Sequence, residues 1–289
     1  MRFLRKTVLP ILAALPLLTA QTAFEVASLK PSPPPASGGR LTIVIPRYDG
    51  GPGTSDPTRI SFHNATVREL ITRAYEVRPE QLSGPAWLNA ASMFSADGKF
   101  DLEAKLAPGT TKPQSLLMLQ NLLAERFALK VHRETQVAQV YALTVGKNAP
   151  KLKENNEGPQ DPEPDVSHPL GPRGEDGFPT MPPGYIGMFA SVKSGLSRMK
   201  FIRRSMPEFV DWLWGQLKRR VVDRTELKGR YDFYLEFRRD VTSASANGDS
   251  GGTDLYGAVQ GQLGLKFTNE KGEVEMLVID HVDRTPSGN

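Results

Sequence analysis

Residues 24–29 and 59–62 of the chain carry the period-two alternation of apolar and polar side chains that predicts strands. The period then lengthens. Thr66 and Glu69 have the spacing of a capping box, in which hydroxyl and carboxylate each satisfy an N–H at the helix start. Val67, Leu70, Ile71, Ala74 and Tyr75 follow at helical spacing and predict one buried face. After Gly84-Pro85-Ala86-Trp87, a half-buried strand is predicted where Phe100, Leu102, Ala104 and Leu106 alternate with Asp101, Glu103 and Lys105. Thr111 and Gln114 cap a second helix, with Pro113 tolerated in its first turn and Leu116, Leu119, Leu122, Leu123 and Phe127 on its apolar face. Residues 129–134 and 140–145 predict two strands joined at 135–139.

The same order returns later. Residues 199–202 predict a strand, and Ser205 with Glu208 forms another capping box with Pro207 in the first turn. Phe209, Val210, Leu213, Trp214 and Leu217 make a helical face, and 220–223 a short strand. Tyr231, Phe233, Leu235 and Phe237 alternate with polar residues, Leu255, Ala258, Val259 and Leu263 mark a fourth helix, and residues 265–268 and 274–282 predict a hairpin around 269–273. Tyr231-Asp232-Phe233 parallels Phe100-Asp101-Leu102, and Leu263-Gly264-Leu265-Lys266 parallels Phe127-Ala128-Leu129-Lys130. The expectation is an α+β fold, internally duplicated, of two similar half-modules in β-α-β-α-β-β order, with helices on one face of mixed sheets. A ferredoxin-like unit with an added edge strand is the simplest closed form.

The punctuation between these patterns suggests the domain division. Residues 1–23 read as a signal peptide, 24–148 as a first module, 149–183 as a Pro-rich linker and 184–289 as a second module. Residues 31–57 read as a long surface loop with a short strand at 41–45, and 241–252 as a polar Gly/Ser-rich loop. The nine prolines between Pro150 and Pro183 stand among acidic residues with few apolar ones, a composition unable to bury a core of its own. At the start, Arg2, Arg5 and Lys6 precede an apolar stretch from 8 to 18 and a run of small residues. That is the order of a secretory leader, too short to span a bilayer comfortably, with cleavage after Ala20 or Ala23. Its loss lowers the formal charge from +4 to +1, which removes any general case for nucleic-acid binding. The expected location is outside the cytoplasm, periplasmic or extracellular, with no transmembrane segment after processing.

Composition limits the chemistry. The chain has no Cys, which excludes disulfides, thiolate metal sites and Cys nucleophiles. No zinc-hydrolase His motif, no Gly-x-Ser-x-Gly elbow and no phosphate loop occurs, so neither metal nor cofactor is expected. Of four histidines, His63 reads as a neighbour of a helix cap at a strand end and His168 as solvated. His132 and His281 occupy equivalent strands of the two halves and are the candidate catalytic residues. Asp280 adjoins His281 but points to the opposite face of its strand, so it does not orient that ring. Asp101, Glu103, Asp232 and Glu236 read as carboxylates of a solvent-facing sheet surface. Arg203, Arg204, Lys218, Arg219 and Arg220 form a basic patch and are the candidate binding residues.

One further reading rests on likeness. The start Phe24-Glu25-Val26-Ala27-Ser28-Leu29-Lys30-Pro31-Ser32 resembles the mature N-terminus of an uncharacterised family of exported proteins abundant in soil bacteria. Ala65-Thr66-Val67-Arg68-Glu69-Leu70-Ile71, Gly84-Pro85-Ala86-Trp87, Gly229-Arg230-Tyr231-Asp232-Phe233 and Val278-Ile279-Asp280-His281-Val282 extend the resemblance in order over nearly the whole chain. It departs at Glu226, where the pattern usually has Gly, and in the longer stretch 89–98. The resemblance implies export, and a fold similar to small periplasmic signalling and secretin N-terminal domains. It implies no catalytic residues. The resulting expectation is a non-catalytic extracytoplasmic binding or interaction module whose partner is an envelope or extracellular protein or a small ligand. The alternative is a secreted hydrolase that uses His132 or His281 with a carboxylate.

Overall fold

The computed structural model describes residues 23–33, 46–90, 98–147, 149–156, 171–180, 185–238 and 253–288. The leader up to residue 22, the strand expected at 41–45 and the loop at 241–252 lie outside them. The class is α+β. The first half runs β1 (Val26–Pro31), β2 (Arg47–Gly50), β3 (Arg59–Thr66), α1 (Val67–Ala74), β4 (Leu82–Ser83), β5 (Lys99–Lys105), α2 (Lys112–Phe127) and β6 (Lys130–Val145). The second runs β7 (Lys153–Glu154), β8 (Gly187–Lys193), β9 (Leu196–Ser205), α3 (Met206–Leu217), β10 (Val221–Asp223), β11 (Arg230–Arg238), α4 (Leu255–Leu263) and β12 (Leu265–His281).

Both halves therefore follow β-β-β-α-β-β-α-β, not the expected β-α-β-α-β-β. The difference has two sources. Strands β2, β4, β7 and β8 lie in stretches whose prolines, glycines and polar residues conceal them. The two expected terminal strand pairs are each one long strand. Residues 135–139 contain no Gly, Pro, Asn or Asp to turn the chain, and β6 runs straight through them for 16 residues. Gly272 suggested a hairpin turn, but it lies inside the 17-residue β12. A Cβ there would come within 2.8 Å of a Val140 methyl, so glycine marks a close approach of neighbouring strands.

Packing divides the chain into two compact units. One holds the residues up to Glu134 and those from Met276 onward; the other is Thr135–Glu275. Strands β6 and β12 each pass from one unit to the other along their length. In the first unit a sheet of order β1-β5-β3-β2, antiparallel throughout, carries α1 and α2. Phe62, Leu70, Ile71, Leu102, Leu123 and Phe127 are central to its core. The end of β12 pairs with β4 in parallel, Leu277 opposite Leu82. In the second unit the sheet order is β7-β11-β9-β8, again antiparallel. Phe201, Phe209, Leu213, Phe233 and Val259 are central there, and the end of β6 pairs with β10 in parallel, Val221 opposite Tyr141. Every strand of the first sheet order reappears in the second six positions later.

Local chemistry explains the helix boundaries. Thr66 accepts the Glu69 N–H at 3.1 Å while Glu69 accepts the Thr66 N–H at 2.8 Å, and Ser205 and Glu208 repeat the exchange. Such an N-cap contributes about 0.5–2 kcal/mol. α2 and α4 both end on a left-handed residue, Ala128 and Gly264, where glycine is the easier choice.

The strand-crossing geometry is testable. Gly272→Ala is expected to cost about 1–3 kcal/mol in urea unfolding through overpacking against Val140. Combining it with Val140→Ala should recover part of that loss, a coupling of about 0.5–3 kcal/mol. Strict additivity of the two substitutions would contradict the contact.

Candidate functional site

Asp101 organises one end of the first sheet. It stands on β5 between buried Phe100 and Leu102 and points to the opposite face. One of its carboxylate oxygens accepts the Asn64 N–H at 2.8 Å and the Ser32 hydroxyl at 2.6 Å. Asn64 lies in a bulge of β3 with φ of 55°. A left-handed non-glycine residue costs roughly 1–2 kcal/mol, less than the roughly 1.5–3 kcal/mol of a hydrogen bond to a charged group. The carboxylate thus offsets the strain of the bulge that turns β3 into α1. Asp232 does the same in the second unit. It accepts the Arg203 N–H at 2.8 Å, where φ is 51°, and the Asn155 side-chain amide at 2.8 Å. Both aspartates were expected simply to face solvent; each instead fastens three pieces of chain together.

Asp101 lines a cavity of about 420 Å³ with His63 and Asn64, and a separate, larger cavity of the first unit measures about 910 Å³. Leu29, Pro31 and Ser32 of β1 and its end, Thr66–Arg68 at the start of α1, and Lys99 and Phe100 of β5 form three walls. Trp87, Leu88 and the segment 284–288 after β12 complete it. Lys99 is only 3% exposed. The Arg284 guanidinium lies 5.5 Å from the centre of the Trp87 ring, and Arg68 gives Nη2 to the Pro79 carbonyl at 2.6 Å. No Asp, Glu or His is among the described lining residues.

The histidines lie elsewhere. His132 is half exposed on β6 and its Nδ1 is 2.9 Å from Asp280, with Glu134 3.9 Å from Nε2. The Asp280 hydrogen bond, reinforced by the charges of Asp280 and Glu134, pushes the imidazole above its ordinary range. His281 instead holds Asp283 at 3.1 Å. The two rings thus engage different carboxylates. His63, expected at a strand end, is within β3; its Nε2 is 3.6 Å from Glu103 and its Nδ1 4.0 Å from Asp101. Ser61 donates to Glu103 at 2.6 Å on the same sheet face. His168 lies outside the described residues. Among the described residues no group of three or more His, Asp or Glu is placed to hold a metal. No helix there is long and apolar enough to cross a membrane.

The basic residues are dispersed into separate roles. Arg203 is 1% exposed and so lies beneath the surface. Arg204 pairs with Glu208 at 3.1 Å, and Lys218 is the left-handed C-cap of α3. Arg219 lies 4.1 Å from the centre of the Tyr141 ring, and Arg220 5.6 Å from that of Trp214. On the outer face of the second sheet a turn at 171–180 is held down by Asp176. That carboxylate meets Lys200 and the Tyr234 hydroxyl, each at 2.6 Å, while Phe178 is buried beside them. The Lys200 ammonium, the Tyr234 hydroxyl and the Phe178 N–H hold Asp176 far below the usual carboxylate range.

Residues 68–282 match the family model described as a protein of unknown function, DUF3738, and the chain belongs to that family. No curated protein and no solved structure matches the chain.

The His132–Asp280 pair makes a prediction about pH. A pKa raised by folding contributes stability that is fully present below the ordinary imidazole value of about 6.5 and is lost as pH rises through the higher folded value. An NMR titration of the His132 ring should give a midpoint above that of the unfolded chain, and Asp280→Asn should return it toward the unfolded value. An unchanged midpoint in Asp280→Asn would show that the pair is not formed in solution.

Proposed function

We propose that this member of the family is an extracytoplasmic, non-catalytic binding module and that the cavity lined by Phe100, Trp87 and Leu88 is where its ligand sits. The carrying observation is the cavity's composition. It has largely apolar walls, a volume in the roughly 300–1,000 Å³ range of small-molecule sites, and no Asp, Glu or His among its described lining. The His132–Asp280 pair stands half exposed, and the His63–Glu103 contact lies in a separate, smaller cavity of about 490 Å³. Export is supported by the basic, apolar and small-residue order of residues 2–23. The repeated sheet order, the paired capping boxes and the paired aspartate ties support an internal duplication. On this reading one copy kept its interior for a ligand.

One observation favours a second reading. The 2.9 Å contact of His132 with Asp280 is the geometry of a carboxylate-oriented general base. A hydrolase built on it would act at an exposed surface and would need its substrate to bring the missing walls.

Two experiments separate these readings. Native mass spectrometry of protein isolated from the envelope or medium should detect a bound small molecule, absent from Ala90→Trp, whose indole fills the cavity from its edge. The melting temperature of that variant should stay near wild type. A ligand-free wild type, or equal retention by Ala90→Trp, would contradict the site. The wild type should show no turnover of peptides, esters or glycans; turnover that disappears in His132→Ala/His281→Ala would establish the hydrolase instead.

A further inference from the structure

One edge of the second sheet is unprotected. In the order β7-β11-β9-β8, strand β8 pairs on one side with β9, and among the described residues no strand pairs with its other side. An open edge offers a row of backbone N–H and C=O groups to any second strand, and sheets blunt that offer with short strands, charges or proline. The other edges of the two antiparallel sheets are blunted in these ways. β7 is two residues long, and β1 ends in Lys30-Pro31. β2, the counterpart of β8 in the first unit, is four residues long and carries Arg47 and Asp49, paired at 2.8 Å. β8 has seven residues, no proline, and a single charge at its last position, Lys193.

Register against β9 sorts the side chains of β8. Met188, Ala190 and Val192 stand opposite the buried Phe201, Met199 and Ser197, so they lie on the core face; Phe189 and Lys193 lie on the outer face. Met188 packs against the core, yet Val192, further along the same face, is 58% exposed. On the outer face the Tyr185 ring stacks on that of Phe189, with centroids 5.7 Å apart. It also lies over Gly187, where a Cβ would collide with it.

This edge is complementary to itself. A strand that pairs antiparallel with its own copy places one residue on the two-fold axis and matches the others symmetrically about it. With Ala190 on the axis, Val192 of each chain faces the partner's Met188, and the exposed valine gains an apolar neighbour on the core face. On the outer face Lys193 faces the partner's Gly187, the position over which a Tyr185 ring lies. The one charge of the strand therefore meets an aromatic face, a favourable cation–π arrangement, and no like charges are opposed within the strand pair. We propose that β8 is the interface of a homodimer. Two copies pair antiparallel through residues 187–193, and two four-stranded sheets become one continuous sheet.

Analytical ultracentrifugation of the purified protein tests the dimer, and single cysteines test its register. The weight-average mass should rise with concentration toward twice that of one chain. Val192→Lys aims an ammonium at the partner's Met188 and should return the protein to the monomer mass, with a circular dichroism spectrum and melting temperature like the wild type because the position is exposed. The chain has no Cys, so Ala190→Cys supplies the only thiol. On the axis that thiol meets its own copy, and mild oxidation should give a disulfide-linked dimer. Val192→Cys should give none, since the two copies of residue 192 stand four residues apart along the pair, about 13 Å and beyond disulfide reach. A constant monomer mass up to about 1 mM would overturn the proposal, and capture of an unrelated extended peptide by that monomer would make the occupant a foreign strand. A dimer that persists in Val192→Lys, or that cross-links through residue 192 and not through 190, would place the interface elsewhere and overturn it equally.

Discussion

A single carboxylate contact recurs in the two units and the arrangement of each depends on it. Asp101 and Asp232 both accept the N–H of a left-handed residue located two positions before a helix N-cap. Without that acceptor the bulged strand would carry uncompensated strain at the point where it changes into a helix. With it, the strand end, the first helical turn and the neighbouring edge strand are fixed together. The capping box that follows makes the same junction sharper, because it commits the helix to begin at Thr66 or Ser205.

The same tie has different consequences in the two units because of what surrounds it. In the second, Arg230 turns inward to Glu208 and the interior charge is closed off; its outer sheet face is covered by the turn that Asp176 anchors. In the first, Leu29, Val67, Trp87, Leu88 and Phe100 line a cavity of about 910 Å³.

Local signals carried most of the fold. The capping boxes at Thr66, Thr111 and Ser205, and the alternation along 100–106 and 231–237, involve residues that touch within one element, so they are legible in a one-dimensional reading. Gly272 misled for the opposite reason: what requires a glycine there is Val140, a residue far away in sequence. β2 and β8 were hidden because edge strands need pairing more than apolar alternation, and both lie among turn-forming residues. The cavity was illegible on the same principle. Lys30, Arg68, Trp87, Lys99 and Arg284 show no mutual spacing, and only the folded chain brings them together. The basic residues near 203–220 mislead conversely. They adjoin in sequence, but Arg203 is buried and Arg219 and Arg220 lie on different rings. One signal for the aspartate ties was present, since an aromatic–Asp–apolar triplet occurs in both halves; its role required seeing the bulge opposite.

The central claim is that half-buried aspartate contacts hold the two strand-to-helix junctions. Native-state hydrogen exchange resolved at the amides of Asn64 and Arg203 measures those contacts directly. Both amides should exchange only through global unfolding, with protection matching that of the core strands β5 and β11. Exchange of either amide at the rate of an exposed loop would mean that its junction stands without the carboxylate, and the account would be wrong.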